Sequence, residues 1–388
     1  MNEIQVQGTV AEGFEEVRQE FAAVVAKERG ESGAQLAAYV RGRRVVDLWA
    51  GEEVSGESLT GVFSSTKGAA TLVVALLVQD GVLGLDQTVA HYWPEFAAAG
   101  KGGITVRDVL THRTGLVGAE GGFPLAELAD DRLIAKRMAG QRPLWRPGSA
   151  HGYGGFVTFA IVGEVVRRVT GRSIQELFEE RIRSPYGLDL YLGLPEALEP
   201  RYLPVLPWQA APEQQAAFEA NWVAPGAISP HSIAGISYNF SFFQPADVLD
   251  FPNHRIVRAL GQASGGGVGS ARGLAALYAA AISEVDGQAP LLEPETLAEF
   301  SMIHSTGKDL VGGERAQYAL GFKAVGMSYP FLSANAIGHD GSAGSEAFAD
   351  PITGVAYGYT RRRAAFGFHA PENHRLAAAV VRAATASA

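Results

Sequence analysis

The stretch "GVFSSTKGAATLVVALLVQDG" (residues 61–81) reads as a helix that is apolar on every face except at its head, where Lys67 follows Ser64 by three residues. Residues i and i+3 share a helix face, so these two side chains stand side by side. The run stops at Asp80-Gly81, a C-terminal glycine signal. A serine hydroxyl is a poor nucleophile until a neighbouring base takes its proton. A lysine serves as that base once burial or nearby positive charge lowers its pKa from the ordinary value of about 10.4. Arginine cannot, because it stays protonated in proteins. The chain holds 26 Arg and only 6 Lys, so a lysine at this place is informative. The free N–H groups of a helix start also point to where an oxyanion would form.

The pattern by itself is weak. Chance alone supplies roughly 0.3 Ser-x-x-Lys matches in a chain of this composition. A second copy, Ser305-Thr306-Gly307-Lys308, lies in the loop-like "HSTGKDLVGG", with a glycine inside and no apolar helix after it. The competing reading of Ser64 and Lys67 is a plain helix start whose lysine reaches out to water. Two other segments favour chemistry. "LWRPGSAHGYGGFVTFAIVG" places Tyr153 in a Gly-rich turn before a long helix, and a tyrosine near a lysine can relay a proton to a leaving atom. "IGHDGSAGSEAFADP" is a Gly-rich strand start that can bring backbone N–H groups to a substrate carbonyl, with His339 at its head.

Composition narrows the classes. The 388 residues are 47% hydrophobic and 19% charged, the profile of a globular chain with a large core. A net charge of −9 argues against a general nucleic-acid binder, and the lack of cysteine excludes disulfides and thiolate sites. No tight His/carboxylate cluster marks a metal site, and no cofactor is expected. The N-terminus has no secretory pattern and the apolar runs are shorter than a membrane span, so a cytoplasmic protein without a membrane partner is expected.

Working outward, residues 11–29 form an amphipathic helix, and "AQLAAYVRG" and "RRVVDLWAG" form a hairpin turning at Gly42. "TVRDVLTHRTGL" (105–116), "FVTFAIVGEVVRRVTG" (156–171) and "SIQELFEERI" (173–182) are expected helices, and 195–230 reads as Pro- and Trp-rich loop. "YALGFKAV" (318–325) and a hairpin over 345–361 turning on "DPITG" are expected strands. A closing helix over 373–385 is expected to be capped by Asn373. This order predicts an α+β fold: a sheet domain from residues 1–60 and 225–388, interrupted by a mainly helical domain over 61–224.

In family order, "FSSTKG", "ITVRDVLTHRTGL", "WRPGSAHGYGG", "ASGGGVGSARGLAALYAA" and "GHDGSAGSEAFADPITGVAYGY" resemble segments of the serine β-lactamase and penicillin-binding-protein superfamily. The likeness is to its class C branch, nearest the family VIII carboxylesterases, and implies a β-lactamase-like fold. It implies that Ser64 is the acylated nucleophile, Lys67 its base, and Tyr153, which matches the tyrosine of Y-x-N, the proton relay. The backbone N–H groups of Ser64 and Ser342 would form the oxyanion hole. His339-Asp340-Gly341 falls where lactamases carry K-T-G, placing His339 and Gly341 against the substrate. Ser237-Tyr238-Asn239 fits the alternative S-x-N motif, but Tyr153 has the class C-like spacing from Lys67.

Two departures bear on the substrate. Gly155 stands in place of the Asn of Y-x-N, and His339 in place of the Lys of K-T-G, so a substrate-facing amide and a permanent cation are missing. Both changes favour a small-molecule carboxylic ester, of short acyl chain, over a β-lactam or peptide. A β-lactamase, DD-peptidase or acyltransferase on the same fold is the alternative. Phe123, Trp208 and Trp222 are expected pocket residues in the loops around 117–128 and 195–245.

Overall fold

The computed structural model describes residues 5–28, 33–224, 227–311, 316–368 and 370–386. The first elements that position the site are β1 (Gln7–Val10), α1 (Glu15–Val25), β2 (Ala34–Val40), β3 (Arg43–Ala50), β4 (Thr60–Gly61), α2 (Thr66–Gln79) and α3 (Thr158–Thr170). Then come β5 (Leu190–Tyr191), β6 (Val268–Gly269), α4 (Ala271–Ile282), β7 (Ile337–Asp340), β8 (Glu346–Asp350), β9 (Val355–Arg361) and α5 (Glu372–Ala386).

Strands from both ends of the chain make one six-stranded sheet, β1-β3-β2-β9-β8-β7, antiparallel throughout. The β2–β3 hairpin turns on Arg41 (φ 49°) and Gly42 (φ 78°), two successive left-handed residues whose twist suits a two-residue hairpin. The β8–β9 hairpin turns on residues 351–354, within the expected "DPITG".

The sheet is buried on both faces. On one, α1 and α5 pack Phe14, Val17, Phe21, Leu376 and Val380 against Leu36, Leu48, Tyr357 and Tyr359. On the other, α4 crosses β2, β8 and β9 and joins them to α2 and the helices beyond it. Apolar all round, α2 is enclosed in that second core, with Leu72 to Leu77 buried. Gly68 lets it approach α4: a Cβ there would lie 2.3 Å from the Tyr278 hydroxyl. A small second sheet, β4-β6-β5, joins the chain just before α2 to the segment just before α4.

Several sequence expectations need correction. Tyr318–Val325 is no continuous strand but a tight turn, with Ala319 N–H bonded to Phe322 O and only isolated bridges at Tyr318 and Lys323. The helix read over 105–116 is confined to Val106–Leu110, because His112 adopts φ 58° and ends it. Asn373 lies inside α5 rather than capping it; its side chain accepts from Tyr357 Oη (2.9 Å) and donates to Gly344 O (3.1 Å). The 195–230 stretch contains a helix, Pro212–Phe218, continued by a wider turn to Val223. Helix α1 is shorter than 11–29, and Arg29 lies outside the described residues, as do Pro225 and Gly226 beside the expected domain boundary.

Candidate active site

Chain entry into α2 sets the site. Phe63 takes φ 47°, a left-handed conformation rare for a bulky residue, and a 3-10 turn over Phe63–Ser65 leads into the helix. The end of β7 packs against this turn. Ser65 Oγ donates to His339 O (3.1 Å), and Ser345 Oγ donates to Val62 O (2.9 Å). Gly341 is required here, since a Cβ would lie 2.4 Å from Val62 O and 2.2 Å from Ser345 Oγ. The Gly-rich strand start is thereby seated beside Ser64.

Ser64 Oγ accepts two hydrogen bonds, from Lys67 Nζ (3.2 Å) and from Tyr153 Oη (2.8 Å). Lys67 is 0% exposed. Its amine also donates to Gly155 O (2.8 Å) and Ser264 O (2.7 Å), so all three ammonium hydrogens have acceptors. Burial first, and the positive charge of Lys323 second, push its pKa well below the ordinary lysine value, against the opposing charges of Asp340 and Asp131. The amine also lies 4.9 Å from the centre of the Tyr153 ring. Burial raises the Tyr153 phenol far above its ordinary pKa, so it stands as a hydroxyl.

The Tyr153 ring is held by Tyr318, stacked at 6.0 Å and 7°, and by His112 at 5.0 Å. Its backbone is tied by Ser237 Oγ, which donates to Tyr153 O (2.8 Å). Asp131, half-buried behind the loop that presents Ser264, accepts from Ala263 N–H (2.9 Å) and Gln175 Nε2 (2.8 Å). Burial pushes its pKa up to about 6 despite these bonds.

Ser64, Tyr153 and Gly155 open on a cleft of about 490 Å³. Gly341 and Ser342 line it, as expected, and so does Trp222 among aromatic walls that include Phe156, Tyr238, Phe240 and Phe251. Three expected pocket residues fall elsewhere. Phe123 is 2% exposed in the core, its backbone clamped by the Asn239 amide and its ring under Arg137. Trp208 stands behind the cleft wall against Phe368 and faces a separate groove with Phe218 and Gln215. His339 is 1% exposed and absent from the cleft lining. Asp340, Gly341 and Ser342 line the cleft, while the His339 ring is buried beside it, 6.1 Å from the Tyr153 ring and with Nδ1 3.5 Å from the Asp340 carboxylate. Burial, followed by the charges of Lys67 and Lys323, lowers the His339 pKa to about 3 and keeps its ring neutral.

Sequence reasoning missed Lys323, Asp340 and Glu346, which line the same cleft. The short β7–β8 hairpin sets Glu346 opposite Asp340 and was within reach of a local reading; Lys323 reaches the cleft only through tertiary pairing. The S-x-N triplet is split: Ser237 and Tyr238 line the cleft, while the Asn239 amide is spent on the Phe123 backbone.

The chain belongs to the beta-lactamase family, whose Beta-lactamase model matches residues 15–382. The structure of EstA from Arthrobacter nitroguajacolicus Rue61a is similar at a TM-score of 0.90 and 40% identity, over 99% of this chain and 100% of that one. A family VIII carboxylesterase structure is similar at a TM-score of 0.85 and 31% identity, over 98% of this chain and 100% of that one. The esterase/beta-lactamase LipL of Mycobacterium tuberculosis (strain ATCC 25618 / H37Rv) is 28% identical over 364 residues, 85% of this chain and 77% of that protein. Among the described residues, no helix is long and apolar enough to cross a membrane.

Proposed function

We propose that the chain is a serine carboxylesterase that hydrolyses small esters of short acyl chain through an acyl-enzyme at Ser64. The observation that carries this reading is the pair of hydrogen bonds that Lys67 and Tyr153 make to one serine oxygen at the floor of an open cleft. The names of EstA, the family VIII carboxylesterase and LipL support it.

Lys67 is the base. As a neutral amine it keeps two hydrogens, which the carbonyls of Gly155 and Ser264 accept, and its lone pair then faces Ser64 Oγ. Lys67 takes the Ser64 proton as Oγ attacks the ester carbonyl carbon and the carbonyl π pair moves onto oxygen. The backbone N–H groups of Ser64 and Ser342 would hold that oxyanion; one such donor is typically worth about 2.7–4 kcal/mol in the transition state. As the oxyanion collapses, the C–O bond to the alcohol breaks. Tyr153 gives the departing alkoxide its proton and recovers one from Lys67, which returns to the neutral amine. Water attacks the acyl-enzyme by the reverse proton path and releases the acid and Ser64.

The ester preference rests on what surrounds these three residues. Gly155 contributes only a backbone carbonyl, already bonded to Lys67, where an Asn side chain would meet an amide substrate. A cleft of about 490 Å³ with aromatic walls suits an acyl group of few carbons. β-Lactam hydrolysis is the second reading, favoured by the double name of LipL. Turnover of p-nitrophenyl butyrate beside nitrocefin separates the two: the ester is expected to show the higher kcat/KM, and the reverse order overturns the preference.

A further inference from the structure

The proposed acylation leaves unused a cluster of ionisable groups on the cleft wall, Lys323, Asp340 and Glu346, with Asp309 on the same lining. Lys323 is held at the edge of β7, its N–H donating to Gly338 O (2.9 Å), and its amine is ion-paired with Asp340. The two side chains are 34% and 24% exposed, so the pair is open to a ligand in the cleft. Asp340 stands directly opposite Glu346 in the β7–β8 register. Glu346 is buried; one carboxyl oxygen accepts from Tyr329 Oη (2.7 Å) and the other, Oε1, has no hydrogen-bond partner.

Lys323 is thus paired with one carboxylate, Asp340, and a second carboxyl, Glu346, stands across the β7–β8 pair from it. An ionised carboxylate with an unpartnered buried oxygen is costly. Burial, then the charge of Asp340, pushes the Glu346 pKa up to about 8, against the Tyr329 bond and Lys323. Burial acts to lower Lys323, but Asp340, by charge and hydrogen bond, followed by Glu346 and Asp309, raises it above its ordinary value. The geometry thus gives an ion pair, Lys323–Asp340, backed by the buried Glu346, with Asp309 on the same cleft lining.

We propose, building on the esterase reading above, that the Lys323–Asp340 ion pair sets the charge selectivity of the cleft. Asp340 occupies the cation that a substrate carboxylate would otherwise bind, so neutral esters are accepted and anionic ones refused. Glu346 is the reserve counter-ion. With the charge of Asp340 removed, the main like-charge repulsion on Glu346 disappears, and its carboxylate replaces Asp340 as the partner of Lys323. The cation is unmasked only when both carboxyls are neutralised.

The test compares 3-acetoxybenzoate with 3-acetoxybenzamide, which differ in charge at nearly constant size, read as the ratio of their kcat/KM values. Wild type is expected to favour the amide. Asp340→Asn shifts the ratio toward the benzoate only slightly, and Asp340→Asn/Glu346→Gln shifts it about tenfold. Adding Lys323→Met to that double variant erases the gain. Turnover of the neutral ester reports that each variant is folded, and the ratio cancels any effect on acylation itself. An unchanged ratio in the double variant, or a gain that survives Lys323→Met, overturns the inference. If no Ser64-dependent ester turnover is found, the esterase reading fails separately. The charge inference is then decided by the Kd ratio of 3-hydroxybenzoate to 3-hydroxybenzamide in the same series, by the same criteria.

Discussion

Ser64–Lys67 and Ser305–Lys308 are one four-residue pattern in two settings. At the first, the lysine lies on a helix that is apolar all round and cannot reach water, so its amine turns inward to Ser64 and two carbonyls. At the second, the segment is loop; Lys308 is exposed, and Ser305 Oγ is spent on Thr111 O (2.6 Å). Spacing puts a serine and a lysine within reach of each other. Burial of the helix that carries them decides whether the lysine becomes a base or a solvated charge.

The sharpest way to break this contrast is to remove each serine. Ser64→Ala is expected to abolish fluorophosphonate labelling and to lower ester turnover by about 10⁴-fold or more. Ser305→Ala should leave labelling intact, and labelling that persists in Ser64→Ala would place the nucleophile elsewhere. Next in size are the two hydrogen-bond donors to Ser64. Lys67→Ala and Tyr153→Phe should each reduce kcat by about 10²–10⁴-fold, with a melting curve showing a folded protein. A silent Tyr153→Phe would remove the relay from the mechanism.

A smaller effect concerns pH. In the proposed mechanism Lys67 works as the neutral amine, so turnover should rise with pH through its lowered pKa and level off well below the ordinary lysine range. Lys323 supplies the like charge that helps hold it down. Lys323→Met should therefore raise the Lys67 pKa and move the acid limb of the kcat/KM profile to higher pH. An acid limb that stays in place would show that burial alone tunes the base.

Most of the fold and the meeting of Ser64, Lys67 and Tyr153 were legible in the sequence because their signals are local or carried by motif order. The all-apolar α2, the Arg41-Gly42 hairpin and the "DPITG" turn each declare themselves within a dozen residues. His339 was placed on the cleft because it heads a motif, but a motif position does not report exposure, and its ring is buried beside Tyr153 and Asp340. Phe123 misled because aromatic residues in loops line pockets and cores alike, and here the Asn239 amide draws it into the core. Lys323 was beyond reach for another reason. It meets Asp340 only after separate segments pair in space, and nothing in the spacing of 323 and 340 announces that meeting. Glu346, by contrast, faces Asp340 within one short hairpin.

The carbonyls that hold Lys67 have a consequence for how such a chain can diversify. Gly155 O and Ser264 O belong to the main chain, so these two anchors do not depend on the identity of any side chain. The cleft walls, by contrast, include many side chains, among them Trp222, Tyr238, Phe240 and the Lys323–Asp340 pair. Substitutions can therefore reshape what the cleft accepts while these two anchors of the amine stay in place. The position of the amine is written in the backbone, whereas its charge still answers to a wall residue, Lys323.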